Sequence, residues 1–195
     1  MSCTYKYLAN DVGYNCEIKP VAGTEARVLF VNINDIDKAN SVISANNELV
    51  LTDIVLKANK TGVLFEAIED ENDGGFEMKD DKFGQFYEHV LNLKLLTPSA
   101  ENRLEAKNIA SGGGKYIAII ERKWKGVDSK DAFQVYGWQY GLKGSVHKYN
   151  TKENDGAELI TLKTPAPYME SNPALQFLKN ASYTDTLSAF DNKLA

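Results

Sequence analysis

A strict two-residue alternation over residues 87–95 is the feature that most constrains how this chain can fold. One set of alternate positions is mainly apolar, and the other is mainly polar. The first set is Tyr87, His89, Leu91, Leu93 and Leu95, and the second is Glu88, Val90, Asn92 and Lys94. Because successive side chains of a β-strand point to opposite faces, this pattern predicts a long strand with one buried face.

Other segments also indicate a mainly-β chain. Runs rich in β-branched and aromatic residues, bounded by turn-forming residues, predict further strands. These runs are residues 27–33, 49–57, 62–68, 115–124, 132–138 and 158–163, with a further short strand or loop after the turn at 141–145. The turn at Asn154-Asp155-Gly156 predicts a hairpin that leads into the last of these strands.

One segment has the period of a helix. Ala100, Leu104 and Ile109 can share one stripe, and Ser99 is a suitable N-terminal cap. The glycines at 112–114 provide a strong stop. The spacing therefore predicts one helix over residues 100–110.

Together these patterns predict a single mainly-β domain, a β-sandwich or barrel with one flanking α-helix at about 100–110. Residues 1–24 and 166–195 are expected to be extended N- and C-terminal arms on a core at 25–165. The Asn-rich span 34–47 is interpreted as a loop or short irregular helix. The acidic run at 66–81 contains Asp73-Gly74-Gly75, which predicts a turn.

Composition limits the possible functions. The net charge of −5 argues against binding nucleic acid by neutralising phosphates, although DNA that merely passes the protein is compatible with it. Cys3 and Cys16 form no metal-binding pair and are too few for a disulfide scaffold, so free thiols in a reducing cytosol are expected. No signal peptide and no apolar run of roughly 18 residues are evident, which predicts a soluble protein made in the cytoplasm without a membrane partner.

Patterns typical of catalysis fail at particular positions. A phosphate loop ending at Gly114-Lys115 would need Gly and Ser or Thr where Ile109 and Tyr116 stand. The two histidines, His89 and His147, show no zinc-ligand spacing, and His89 is interpreted as a hydrogen-bonded core or interface residue. No serine stands in a nucleophile turn. We therefore expect no catalytic residues, no metal and no cofactor.

Acidic residues form the first candidate surface. They are Glu69, Asp70, Glu71, Asp73, Asp80 and Asp81. A solvated loop, a calcium site out of register with an EF-hand loop, and an acidic surface facing a DNA passage are the three interpretations. In the last, like charge would prevent DNA from sticking.

Aromatic residues within the basic segment 115–150 form the second candidate surface, for packing or interface contacts. They are Trp124, Phe133, Tyr136, Trp138 and Tyr140. Stacking of single-stranded nucleic acid is one interpretation, but the overall negative charge disfavours it. An acidic segment and a basic segment in one chain also suit head-to-tail packing of identical copies.

The stretch Ala-Phe-Gln-Val-Tyr-Gly-Trp-Gln-Tyr-Gly-Leu at 132–142 resembles the late strand of bacteriophage tail tube proteins, an apolar-Tyr-Gly run followed by Gly-Leu. The order of elements is also similar: a strand at 88–96, a helix at 100–109, a strand at 115–124 and a strand at 133–137. An Asp-Gly turn at 155–156 and an apolar-Thr-Leu strand at 159–162 follow. The resemblance covers about residues 86–165.

This resemblance implies a structural virion protein of the phage tail, synthesised in the host bacterial cytoplasm. Six copies would form a ring by joining their inner sheets, and rings would stack through arms and a loop, either 34–47 or 69–82. The implied partners are copies of the chain and other tail proteins, with DNA as a passing cargo. The family has no catalytic residues to carry over.

Two other functions remain open on the sequence. One is another phage tail or head-to-tail connector component. The other is a β-sandwich module that binds carbohydrate or another ligand on a platform of Trp124, Trp138 and Tyr140.

Overall fold

A computed structural model describes residues 12, 21–82 and 84–194. Cys3 and Cys16 lie outside these ranges, as does almost all of the predicted N-terminal arm. The first described strand starts at Thr24.

Eleven β-strands and two α-helices form the described part of the chain, joined by loops and short 3-10 turns. The strands are β1 (Thr24–Asn32), β2 (Val42–Ile43), β3 (Val50–Asp53), β4 (Val63–Glu66), β5 (Asp73–Asp81), β6 (Gly84–Leu95), β7 (Tyr116–Arg122), β8 (Phe133–Tyr136), β9 (Lys143–Tyr149), β10 (Glu158–Lys163) and β11 (Leu175–Phe177). The helices are α1 (Ala100–Ser111) and α2 (Tyr183–Asp191).

The strands form two sheets, which confirms the mainly-β sandwich. The large sheet has the order β2-β3-β11-β8-β7-β1-β4, and the small sheet has the order β5-β6-β10-β9. Every neighbouring pair is antiparallel except β3 and β11, which are parallel. The small sheet is therefore a continuous antiparallel sheet.

The central strands of the large sheet are buried on both faces. In β1, Leu29 and Val31 belong to one apolar cluster, whereas Val28 and Phe30 belong to another. The first cluster includes Phe190 of α2, and the second includes residues of β6, β10 and α1. Each fully buried aliphatic or aromatic side chain contributes about 1.5–3 kcal/mol, so both layers are needed to stabilise the sheet.

The two strongest periodic patterns are confirmed. In β6, Leu91 and Leu93 are buried while Asn92 between them is exposed. α1 begins after Ser99, whose hydroxyl oxygen accepts a hydrogen bond from the Asn102 N–H at 3.2 Å. It ends at the predicted glycines, where Gly113 has a φ of +79° that favours glycine.

The prediction of an extended C-terminal arm at 166–195 is wrong. β11 lies inside the large sheet between β3 and β8, and α2 buries Phe190 completely. A second helix is therefore present besides α1. The prolines and polar residues of this segment suggested an arm, but its apolar residues are spaced to cover a face of the sheet that is otherwise open.

The predicted turn at Asp73-Gly74-Gly75 is also wrong, because these residues open strand β5. Gly74 has a packing role. A Cβ atom at Gly74 would lie 2.8 Å from the Tyr136 ring and 2.9 Å from Ile120, so only glycine lets β5 approach the large sheet this closely. The Asn-rich span 34–47 is mainly loop, as predicted, with a 3-10 helix (Ile33–Asp35) at its start. It also contains the two-residue strand β2, which pairs with β3.

No helix in the described ranges is long and apolar enough to cross a bilayer.

We expect Phe190→Ala to lower the free energy of unfolding by about 3–5 kcal/mol, because a cavity replaces a fully buried ring. The Phe190 ring centroid lies 5.3 Å from that of Phe133, inside the first cluster. Urea unfolding followed by circular dichroism measures the change. Leu104→Ala, on the exposed side of α1, is the control and should change stability by less than about 0.5 kcal/mol. Equal effects of the two substitutions would contradict a core role for α2.

Candidate assembly interface

The small sheet has one face in the core and one face open to solvent. Its core face carries the buried side chains of β6 and β10, and strand alternation directs the intervening residues outward. The open-face positions are Asp73, Gly75, Glu77, Lys79 and Asp81 on β5, Phe86, Glu88, Val90, Asn92 and Lys94 on β6, Leu159, Thr161 and Lys163 on β10, and Lys143, Val146 and Lys148 on β9. This face is mainly polar.

Both outer edges of the small sheet are unpaired within the described residues. β5 pairs only with β6, and β9 pairs only with β10. An edge strand presents unpaired backbone N–H and C=O groups, which can pair with a strand of another chain. Because strand direction alternates across the four strands, β5 and β9 run in opposite directions.

The two edges carry opposite charge. β5 contains four carboxylates, Asp73, Glu77, Asp80 and Asp81, and one lysine, Lys79. β9 contains Lys143, His147 and Lys148 and has no carboxylate. An acidic edge and a basic edge therefore bound the same sheet.

The six acidic residues singled out in the sequence do not form one surface. Glu69 forms an ion pair with Lys123 at 3.2 Å, and Asp70 contacts the same lysine. Glu71 pairs with Lys94 at 2.9 Å. These three precede β5. Within β5, Asp73 and Asp81 lie on the open face, whereas Asp80 lies on the opposite face.

The open face as a whole therefore carries both signs of charge. Its carboxylates are on β5 and β6, and its lysines, apart from Lys79 of β5, are on β9, β10 and the end of β6. An acidic surface was one of the three interpretations of the sequence, but the neighbouring strands contribute lysines that are distant along the chain.

The five aromatic candidates do not form one platform either. Phe133 and Tyr136 are core residues, each with at most 2% of its surface exposed. Trp124 lies beyond one end of the β7–β8 ladder, and Trp138 lies beyond the other, so at least about 10 Å of strand separates them. Tyr140 packs against Tyr168, with ring centroids 5.6 Å apart. The predicted binding platform of Trp124, Trp138 and Tyr140 is therefore not assembled.

A buried carboxylate fixes the turn that follows β8. Glu170 is 3% exposed, and its two carboxylate oxygens accept hydrogen bonds from the backbone N–H groups of Gln139, at 2.7 Å, and Tyr140, at 2.9 Å. Burial raises the pKa of Glu170, and the two N–H donors oppose that increase. Sequence reasoning missed this residue because it stands in the segment interpreted as an arm, without a motif around it.

His89 ties the small sheet to the same turn. Its side chain is buried, and Nδ1 accepts a hydrogen bond from the Gly137 N–H at 3.0 Å. Nε2 lies 3.0 Å from the Asn172 carbonyl oxygen, to which it donates. This pair of contacts fixes the neutral tautomer protonated on Nε2. The interpretation of His89 as a hydrogen-bonded core residue is confirmed.

A second buried carboxylate anchors edge strand β9 to α1. Glu158 of β10 is 1% exposed and forms an ion pair with Arg103 of α1. Its other oxygen lies 2.8 Å from Nε2 of His147 on β9. The Arg103 guanidinium also lies 5.2 Å from the centre of the Tyr149 ring. α1 therefore holds the basic edge of the small sheet in position.

Among residues 12, 21–82 and 84–194, no group of three or more His, Cys, Asp and Glu side chains is arranged to hold a metal ion. No protein-family model, curated protein or solved structure matches the chain. The architecture defines a class of protein, a mainly-β sandwich whose small sheet has a polar open face and two edges left unpaired by the part of the chain that the structure describes.

Burial lowers the pKa of His89 from 6.5 to about 4, because the neutral ring is favoured in the core. Between these two values the unfolded chain binds a proton that the folded chain does not bind. The free energy of unfolding therefore decreases as the pH falls through this window, by about 2 kcal/mol at pH 5 relative to pH 7.5. Urea unfolding at several pH values measures this decrease. His89→Gln should remove that part of the pH dependence, and an unchanged slope would contradict it.

Glu170→Gln should lower the free energy of unfolding by about 1–3 kcal/mol, because one of the two backbone N–H groups of the turn loses its acceptor on a buried side chain. Thermal and urea unfolding at pH 7 measure the loss. Glu153→Gln, at an exposed position, is the control for removing one carboxylate charge. A loss no larger than that of the control would show that the carboxylate does not hold the turn.

Proposed function

We propose that this chain is a structural virion protein, a subunit of a bacteriophage tail tube that assembles as stacked homo-oligomeric rings. The observation that carries the proposal is the small sheet, whose two free edges run in opposite directions. The resemblance over residues 86–165 supports the same assignment. In this role the chain has no catalytic residues and needs no cofactor.

The direction of the edge strands supports ring formation. If β9 of one copy meets β5 of the next, the two strands are antiparallel, and the joined sheet continues the pattern of the small sheet. The contact joins two different surfaces, so each copy has one surface still free for the next neighbour. Such head-to-tail contacts close into rings when the rotation between copies permits it. The resemblance implies six copies per ring.

The open face of the small sheet would line the channel of such a ring. Its interleaved carboxylates, lysines and amides keep the channel wall polar. Lys79 is paired with Glu77, and Lys94 with Glu71 and Asp155, which would weaken their attraction for DNA phosphates. The net charge of −5 further disfavours tight binding. These features suit DNA as a passing cargo. The protein would reside in the virion tail with other tail proteins as its further partners.

A connector or other tail component that forms a single ring would use the same free edges. It would differ from a tube subunit by forming rings that do not stack. A carbohydrate-binding module is disfavoured, because Trp124 and Trp138 lie at opposite ends of the β7–β8 ladder.

We expect concentrated purified protein to form rings, and stacks of rings, in negative-stain electron microscopy. Light scattering after size-exclusion chromatography should show a mass that increases with protein concentration from monomer to ring. Single rings without stacks would favour the connector role. A monomer at every concentration would contradict the proposal.

A further inference from the structure

Charges without a partner lie on both free edges of the small sheet. Lys143 and Lys148 on β9 form no ion pair within the described part of the chain. On β5, Asp73 and Asp81 likewise have no basic side chain as an ion-pair partner there. Lys94, on the same face but inside the sheet, is paired with Glu71 and Asp155. Glu77, also on β5, forms an ion pair with Lys79. The edge charges that have no ion-pair partner within the described residues are therefore Asp73, Asp81, Lys143 and Lys148.

We infer that the lysines of β9 recognise the carboxylates of β5 in a second copy, so that charge determines which edges join. This inference rests on the proposed ring and concerns its specificity. The contact between β9 of one copy and β5 of the next is called the seam below.

The strand registers show that this pairing is geometrically consistent. Lys143, Val146 and Lys148 are opposite Lys163, Thr161 and Leu159 of β10, because a bulge near Ser145 restores the alternation. All three β9 residues therefore point to the open face. On β5, the open-face positions recur every second residue, from Asp73 to Asp81.

Two antiparallel registers place both lysines opposite carboxylates. In the first, Lys148 is opposite Asp73 and Lys143 is opposite Glu77. In the second, Lys148 is opposite Glu77 and Lys143 is opposite Asp81. The register between them places Lys143 opposite Lys79 and Val146 opposite Glu77. Cross-strand pairs of opposite charge contribute about 0.2–1 kcal/mol each and like charges are unfavourable, so the intermediate register is disfavoured.

Charge reversal on one edge tests the inference. The variant Lys143→Glu/Lys148→Glu has two acidic edges, and the variant Asp73→Lys/Glu77→Lys/Asp81→Lys has two basic edges. For each variant alone, the protein concentration needed for ring formation should increase by at least about tenfold, because every seam opposes like charges. An equimolar mixture should recover rings, since each variant then finds a complementary edge on the other. Native mass spectrometry should find the two variants alternating in these rings.

Lys107→Glu/Lys152→Glu is the matched control, because it changes the net charge as much as the first variant but at exposed positions outside the strands of the small sheet. It should assemble like the unmodified chain. Circular dichroism of each variant confirms that the fold is retained.

The outcomes separate the two proposals. If the unmodified chain forms rings and each reversed variant still does so alone, charge does not select the seam, while the ring itself stands. If the mixture fails to recover rings, the seam is not formed by these two edges. If the unmodified chain forms no rings, the proposed function and the inference that depends on it both fail.

Discussion

Burial of the central strands of the large sheet on both faces is the constraint on which the rest of the structure depends. Strand β1 sends Leu29 and Val31 into one layer and Val28 and Phe30 into the other, and each of them is at most 3% exposed. One layer needs α2 as a cover, and the other needs the small sheet with α1. Because the small sheet covers the large one with its apolar face, its polar face and both of its edges have no strand or sheet against them within residues 21–82 and 84–194. The exposure of the polar face and the edges thus follows from the use of the apolar face to cover the large sheet.

Periodicity along the chain predicted the elements whose apolar pattern is local. Strand β6 and helix α1 could be predicted from residues 87–110 alone, since alternation and capping are short-range signals. Strand β5 could not be predicted, because Asp73-Gly74-Gly75 is a turn signal in the sequence. The packing of the Tyr136 ring against Gly74, which requires glycine within a strand, is visible only in the structure. The prediction of a C-terminal arm was wrong because it, too, depends on a contact between distant residues. Phe190 is a core residue only because a large-sheet face is available to receive it.

The candidate surface was predictable in composition but not in arrangement. The sequence indicated an acidic segment and a basic segment suited to contacts between identical copies. Part of the acidic segment forms β5 and part of the basic segment forms β9, the two edge strands of the small sheet. It could not indicate that Glu69 and Glu71 are neutralised by Lys123 and Lys94, which are distant along the chain. Nor could it indicate Glu170, whose role depends on two backbone N–H groups brought to it by folding. Ion pairs between distant residues determine which charged side chains are neutralised, and a linear sequence pattern does not reveal those ion pairs.

Free edges expose a protein to uncontrolled pairing, and the distribution of charge limits this hazard. Two β5 edges brought together would oppose carboxylates, and two β9 edges would oppose lysines. Only the pairing of unlike edges avoids both penalties. That pairing joins two different surfaces, so it gives a defined rotation from one copy to the next and can close on itself. The buried Glu158, which links β9 to α1 and β10, would keep the basic edge in the orientation on which that closure depends.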